Sequence, residues 1–211
     1  MKKLMFIPLM LFAACAGGGN TEKTTPETPF FSGWFVYFAD AALMTDCATG
    51  VRLPVAKEGA FMAVEEAYLA LNPEMAEPIF VEFFGRVGER PRMEGEGTEQ
   101  AFVVDSLIGF DRTRNCAPEQ LLAGVYQSDG EVRRELRLQP DYTFAETLFG
   151  AEPDLPALMQ TGFWWRTATL ELVLRADDAD STLRSFRVDP AAESLVQQNV
   201  ENPLTFRKTY L

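Results

Sequence analysis

"GWFVYFADAALMTDCATGVRLPVAKEGAFMAVEEAYLAL", residues 33–71, changes its hydrophobic period partway along. Its first part, "GWFVYFAD" (33–40), is dense in aromatics and reads as a strand entered from a glycine. "TDCATG" (45–50) places Asp, Thr and Gly around a cysteine, which is turn chemistry. In "VRLPVA" (51–56), Val51, Leu53 and Val55 alternate onto one side. Pro54 has no N–H to give a ladder, so it restricts this run to an edge or a strand end. The spacing then becomes three and four residues: Phe61, Val64, Tyr68 and Leu71 form a helical stripe, which Asn72-Pro73 ends. "PIFVEFFGRV" (78–87) and "AFVVDSLIGF" (101–110) are dense strands on either side of a polar, turn-rich loop, "GERPRMEGEGTEQ". Strands, one short helix, then more strands suit a small closed or nearly closed barrel of the OB type, its helix plugging one end.

From about residue 117 the pattern becomes a meander. "LAGVYQS", "EVRRELRLQ", "YTFAETLF", "TGFWWRT", "TLELVLRA", "TLRSFRVD", "ESLVQQ" and "LTFRKTYL" are strand-like. Polar turns separate them, among them Asp129-Gly130, Pro140-Asp141, the Gly150 to Pro156 loop, Arg166 to Thr169 and Asp189-Pro190. In "TLELVLRA", Leu170, Leu172 and Leu174 share one face, and Glu171, Val173 and Arg175 the other. Short strands joined by tight turns predict an up-and-down barrel without free edges. Asn115-Cys116-Ala117-Pro118-Glu119 breaks any strand and marks the boundary. The expected fold is therefore all-β with one short helix, in two small barrels: an OB-like domain over 30–116, then an up-and-down meander barrel over 117–211.

The N-terminus points to an address. Met1-Lys2-Lys3 is followed by an uncharged run, Leu4 to Ala14, and then Cys15. Spanning ~30 Å of hydrocarbon takes about 20 residues, so the run fits the apolar core of a signal peptide instead. Phe12-Ala13-Ala14-Cys15 resembles a bacterial lipobox, which implies cleavage after Ala14 and acylation of Cys15. Residues 1–14 are thus expected to be a lipoprotein signal peptide. Acyl chains at about 0.8 kcal/mol per buried CH₂ form a stable anchor without a spanning helix. Ala16 follows the anchor. In many Gram-negative bacteria an acidic residue there retains a lipoprotein in the inner membrane, so Ala16 favours the outer membrane. Residues 15–29, "CAGGGNTEKTTPETP", bury too little to offset chain entropy and read as a lipidated flexible tether.

Composition narrows the partners. The chain has 211 residues with 31 Asp and Glu against 19 Lys and Arg, a formal charge of −12. So acidic a surface repels phosphate backbones, and no nucleic-acid partner is expected. There is no histidine. That removes the usual general base near pH 7 and the commonest transition-metal ligand. With Cys15 lipidated, Cys47 and Cys116 remain. Export to an oxidising compartment favours their pairing, against the alternatives of two buried free thiols or a redox-active pair.

The first half resembles the OB-like domain of NlpE-type outer-membrane lipoproteins. The shared elements are Ala39-Asp40-Ala41-Ala42, Thr45-Asp46-Cys47, Thr49-Gly50, Pro54-Val55-Ala56, Glu66-Ala67-Tyr68-Leu69, Arg90-Pro91 with Met93-Glu94-Gly95, and the closing Cys116. The resemblance implies a disulfide between Cys47 and Cys116. The second half is similar to the family's small lipocalin-like barrel, through Gly124-Val125-Tyr126, "RRELRLQPDYTF", Gly162-Phe163-Trp164 and "LTFRKTYL". Two features differ from the family. The OB-like part comes first, and "YQSDGEVRRELRL" lacks the Cys-x-x-Cys found there in relatives. The family's links are to envelope stress and copper homeostasis.

Other clusters read as structural. Asp177, Asp178 and Asp180 carry carboxylates that calcium takes, but without the glycine and bidentate glutamate of an EF-hand they fit a solvated hairpin turn. Glu94 and Glu96 lie in a polar loop with nothing to separate their pKa values, so they make a poor acid–base pair. Trp164 and Trp165 are adjacent and point to opposite faces of a strand. Met44, Met62, Met75, Met93 and Met159 are scattered, as core filler or single surface residues. No metal, cofactor or catalytic residue is expected, and no ligand-binding residue is assigned. The expected function is a non-enzymatic envelope lipoprotein that binds another envelope protein or senses envelope state. It would be lipid-anchored in the outer membrane with its domains facing the periplasm. The alternative is a carrier of a small apolar ligand in the C-terminal barrel.

Overall fold

The computed structural model describes residues 28–92, 95–117, 120–128, 132–149, 156–191 and 193–210. Cys15, Met93, Glu94 and the turn at Asp129-Gly130 lie outside the described residues, as do positions 150–155 and the side chain of Met159.

The first half contains β1 (Phe30–Phe38), β2 (Ala41–Asp46), β3 (Arg52–Pro54), α1 (Phe61–Ala70), β4 (Ile79–Pro91) and β5 (Thr98–Asp111). The sheet order is β3-β2-β1-β4-β5. The sheet coils until its ends meet: Val55 and Phe102 form a parallel bridge, and the Ala56 N–H donates to Phe102 O at 2.8 Å. Register shifts between Glu82 and Phe83 and between Phe84 and Gly85 bend the β4–β5 pair. Helix α1 packs Phe61, Val64 and Tyr68 inward, the stripe read from the sequence. The Ala60 N–H donates to Val104 O at 2.7 Å, and Tyr68 donates to Glu77 O at 2.6 Å, so both flanks of the helix are tied to this barrel.

Three expectations change here. Strand β1 begins at Phe30, so Gly33 is interior to it and not its entry. A strand at Ala41–Asp46 was not expected; β1 and β2 form a hairpin across Ala39-Asp40, both at positive φ (49° and 61°). That is the backbone of a two-residue type I′ turn, whose twist suits a hairpin. Most of the expected loop 88–100 is strand, because β4 runs to Pro91 and β5 starts at Thr98.

Gly33 is where backbones come closest. It pairs with Asp46 on one side and Val81 on the other, and a Cβ there would lie 2.1 Å from Thr45 O. Gly33→Ala should therefore destabilise this barrel by about 2 kcal/mol, the scale of overpacking. Thermal unfolding checks this; a midpoint equal to wild type would show that the strand can slide to make room.

The second half contains β6 (Gly124–Ser128), β7 (Arg134–Leu138), β8 (Thr143–Phe149), β9 (Pro156–Arg166), β10 (Glu171–Ala176), β11 (Leu183–Asp189), β12 (Ser194–Gln197) and β13 (Thr205–Thr209). Each strand pairs with the next, and β13 pairs with β6 to close the barrel. Leu136, Phe144, Trp164, Leu172, Phe186 and Phe206 fill its interior, none more than 1% exposed. Leu170 is half exposed in the turn before β10 and does not join Leu172 and Leu174, whereas Val173 is buried despite its outward register. Glu146 is buried with them, its carboxylate ion-paired to Arg134 at 3.3 Å and Arg184 at 2.5 Å. No helix among the described residues is long and apolar enough to cross a membrane.

Candidate functional site at the junction of the barrels

The two cores join through aromatic rings. Phe31 of the first barrel packs edge-on against Tyr142 at 5.7 Å between centroids, and Tyr142 lies 5.3 Å from Trp164 of the second. Edge-to-face pairs of this kind contribute about 0.5–1.5 kcal/mol each beyond the area they bury.

Beside these rings lies a buried polar cluster. Asp46 ends β2, and its Oδ2 accepts from the Ala48 N–H (3.1 Å), the Thr49 N–H (3.0 Å) and the Thr49 hydroxyl (3.1 Å). An aspartate that binds the next backbone N–H groups in this way folds the turn on itself. The turn brings the Cys47 N–H to Ser32 O at 2.9 Å. Cys47 is disulfide-bonded to Cys116, with Cα atoms 5.3 Å apart, inside the span a disulfide allows. The same turn receives the second barrel: the Leu122 and Ala123 N–H groups both donate to Ala48 O, at 2.8 and 3.1 Å.

Arg166 closes the cluster from the other side. It ends β9, donates from Nη2 to the Ser32 hydroxyl at 2.6 Å and covers the Phe30 ring at 4.9 Å. Burial raises the Asp46 pKa above the usual carboxylate range, with the Arg166 charge pulling it back. Burial also pushes the Tyr142 hydroxyl up, with the Asp46 charge adding to it, and pulls Arg166 down. Arg166 Nε is buried without a hydrogen-bond partner, and the Tyr142 hydroxyl sits beside Asp46 and Thr49 without a bond of good geometry. Such groups are costly, so this joint is held by packing and the disulfide more than by its polar contacts.

The sign of the Asp46 effect is testable. Its native pKa is raised, so between its ordinary value and the raised one the folded state binds the proton that the unfolded state releases. Stability from this residue falls as pH rises through that window. The stability difference between wild type and Asp46→Asn should therefore shift against wild type as pH rises from 4 to 7. Denaturant titrations across that range check it; a pH-independent difference would show that Asp46 is not buried as a charge.

Of the residues singled out in the sequence, Cys47 and Cys116 lie in this junction. Trp164 is buried under it, and Trp165, on the opposite face, is partly exposed. Asp177, Asp178 and Asp180 are exposed in the β10–β11 turn, where Asp178 accepts from the Thr182 N–H and from Gln160. Glu96 is exposed, Met44 is buried, and Met62 and Met75 lie on the surface. The sequence gives Ser32, Tyr142 and Arg166 no place in a site, and marks Asp46 only as a turn residue, which it is. One signal was available: alternation along β9 puts Arg166 on the same side as Trp164.

Among the clefts of the surface, one lies at the far hairpin of the first barrel and one at the junction end of the second. One, of about 540 Å³, lies between the Ala39-Asp40 hairpin and Lys57, Arg90 and Arg92. The other, of about 490 Å³, sits at the junction end of the second barrel, between Leu121, Leu122, Tyr126, Pro190, Leu195 and Lys208.

The comparisons with known proteins bear on the first barrel. Residues 25–117 match the family model of the NlpE C-terminal OB domain. Lipoprotein NlpE of Escherichia coli (strain K12) is 28% identical over 97 residues, covering 46% of this chain. The match spans 40% of that relative's length. No solved structure matches the chain at a significant level. The family model, the relative and the nearly closed five-stranded sheet with its single helix agree, and residues 25–117 of this chain are similar to the NlpE C-terminal OB domain.

Proposed function

We propose that the protein is a non-enzymatic lipoprotein of the cell envelope, anchored through Cys15 in the outer membrane with its barrels facing the periplasm. Its role is to bind another envelope protein and to report envelope state through the junction. The family match, the lipobox-like Phe12-Ala13-Ala14-Cys15 and Ala16 support the address. The observation that carries the reporting role is the turn 46–50. It holds one half of the disulfide, and its Ala48 carbonyl holds the entry to the second barrel. Reduction would free that turn on one side, and with it the angle between the barrels. The alternative, a ligand carried inside the second barrel, has less room, since its interior is filled by aromatic and leucine side chains.

The test is native mass spectrometry of the chain released from envelope membranes, oxidised and after mild reduction. The reading expects acyl chains on Cys15 and a protein adduct whose occupancy changes on reduction. An unlipidated Cys15 would remove the address. A chain recovered without a protein adduct in both redox states would remove the reporting role.

A further inference from the structure

Lys208, on β13, stands in an unusual setting for an acidic protein. Its alkyl stem crosses Gly124: a Cβ at that position would lie 2.8 Å from Lys208 Cε. Any larger residue at 124 would push the lysine away, so the missing side chain seats it. The ammonium donates to Leu121 O at 2.7 Å and lies 5.9 Å from the centre of the Tyr126 ring. It takes part in none of the ion pairs among the described residues. Burial pulls its pKa below the ordinary lysine value, with the Glu193 charge pulling it back.

This ammonium opens on the cleft of about 490 Å³ at the junction end of the second barrel. Leu121, Leu122, Tyr126, Val188, Pro190 and Leu195 give the cleft a largely apolar wall. Two carboxylates also line it: Glu193, whose charge acts on Lys208, accepts from the Tyr210 hydroxyl, and Asp189 has a partner of its own. A concavity with apolar walls and a few placed polar groups is the usual form of a small-molecule site.

We propose that this cleft binds a small amphipathic carboxylate, its carboxylate on Lys208 and its apolar tail against Leu122, Val188 and Leu195. The site lies outside the filled barrel interior, and it goes beyond the reporting role proposed above. A lysine has two donors left after Leu121 O, enough for one carboxylate. A neutral molecule of the same shape would gain the wall without the charge contact to the ammonium.

The experiment is calorimetric titration of the full chain carrying Cys15→Ser, which keeps it unlipidated, with octanoate and with octanol as probes. Octanoate should bind at least tenfold more tightly than octanol. Lys208→Gln should abolish that preference while leaving octanol binding unchanged, and Lys208→Arg should retain part of it. Gly124→Ala, which unseats the lysine without removing its charge, should also lose the preference. Equal binding of the two probes overturns the proposal. So does no octanoate binding at millimolar concentration, or an octanoate preference that survives Lys208→Gln in a variant that still melts cooperatively. None of these results depends on whether reduction alters partner binding.

Discussion

Replacing Cys47 and Cys116 together by serine should lower the melting temperature of the first barrel by more than about 10 °C. The two cysteines are 69 residues apart in sequence. Constraining an unfolded loop of that size stabilises the native state by about 4 kcal/mol in the chain-entropy account. A small domain shifts by about 4–8 °C per kcal/mol, so the effect is large even if part of it is lost to strain. The bridge joins the turn after β2 to the segment that leaves β5, and so ties the early part of the barrel to its exit. Calorimetry of the double variant beside oxidised wild type measures it. A shift under about 3 °C would mean that the Asp46 turn keeps its shape unaided and that the unfolded chain is already compact.

Trp164→Ala should be as damaging to the second barrel. The ring is 1% exposed, its Nε1 donates to Gln139 O at 3.0 Å, and it packs at a tilt against Tyr142. Truncating a buried tryptophan leaves a cavity and costs about 3–5 kcal/mol. The loss should also loosen the junction, because Tyr142 is the ring through which Trp164 reaches Phe31. Amide hydrogen exchange separates the two effects. Protection should fall across β8, β9 and β10, while the β2–β3 pair of the first barrel keeps its own. Equal loss in both would show that the barrels unfold as one cooperative unit. The neighbouring change Trp165→Ala should cost far less, since its side chain is partly exposed.

The strands of the second barrel were legible in the sequence because each carries a short apolar run flanked by polar turn residues. β2 was not. Its hairpin uses Ala39-Asp40, without the glycine or asparagine that usually announces positive φ, and Ala41–Asp46 begins with two alanines that carry little hydrophobic pattern. The extent of β4 and β5 was also hidden, because Gly88, Pro91 and the charges around them look like a loop in one dimension. The disulfide was legible from compartment and resemblance. The cluster around it was not: Asp46 and Arg166 each resemble turn residues locally, and only the meeting of two barrels removes them from water. Long-range burial of a charge leaves no mark on its sequence neighbours.

The pairing of β13 with β6 sets an order of events. A ribosome or a translocon delivers the N-terminus first. All five strands of the first barrel and both bridging cysteines have then emerged before β13 exists as free chain. The second barrel cannot shut until residues 205–209 reach β6, and the Thr209 hydroxyl bonds Val125 O across a separation of 84 residues. Until then β6 and β12 both present open edges, the state in which strands pair with the wrong chain. Everything the disulfide needs is therefore present in a molecule whose second half is still open, and the edges of β6 and β12 are the last to be covered.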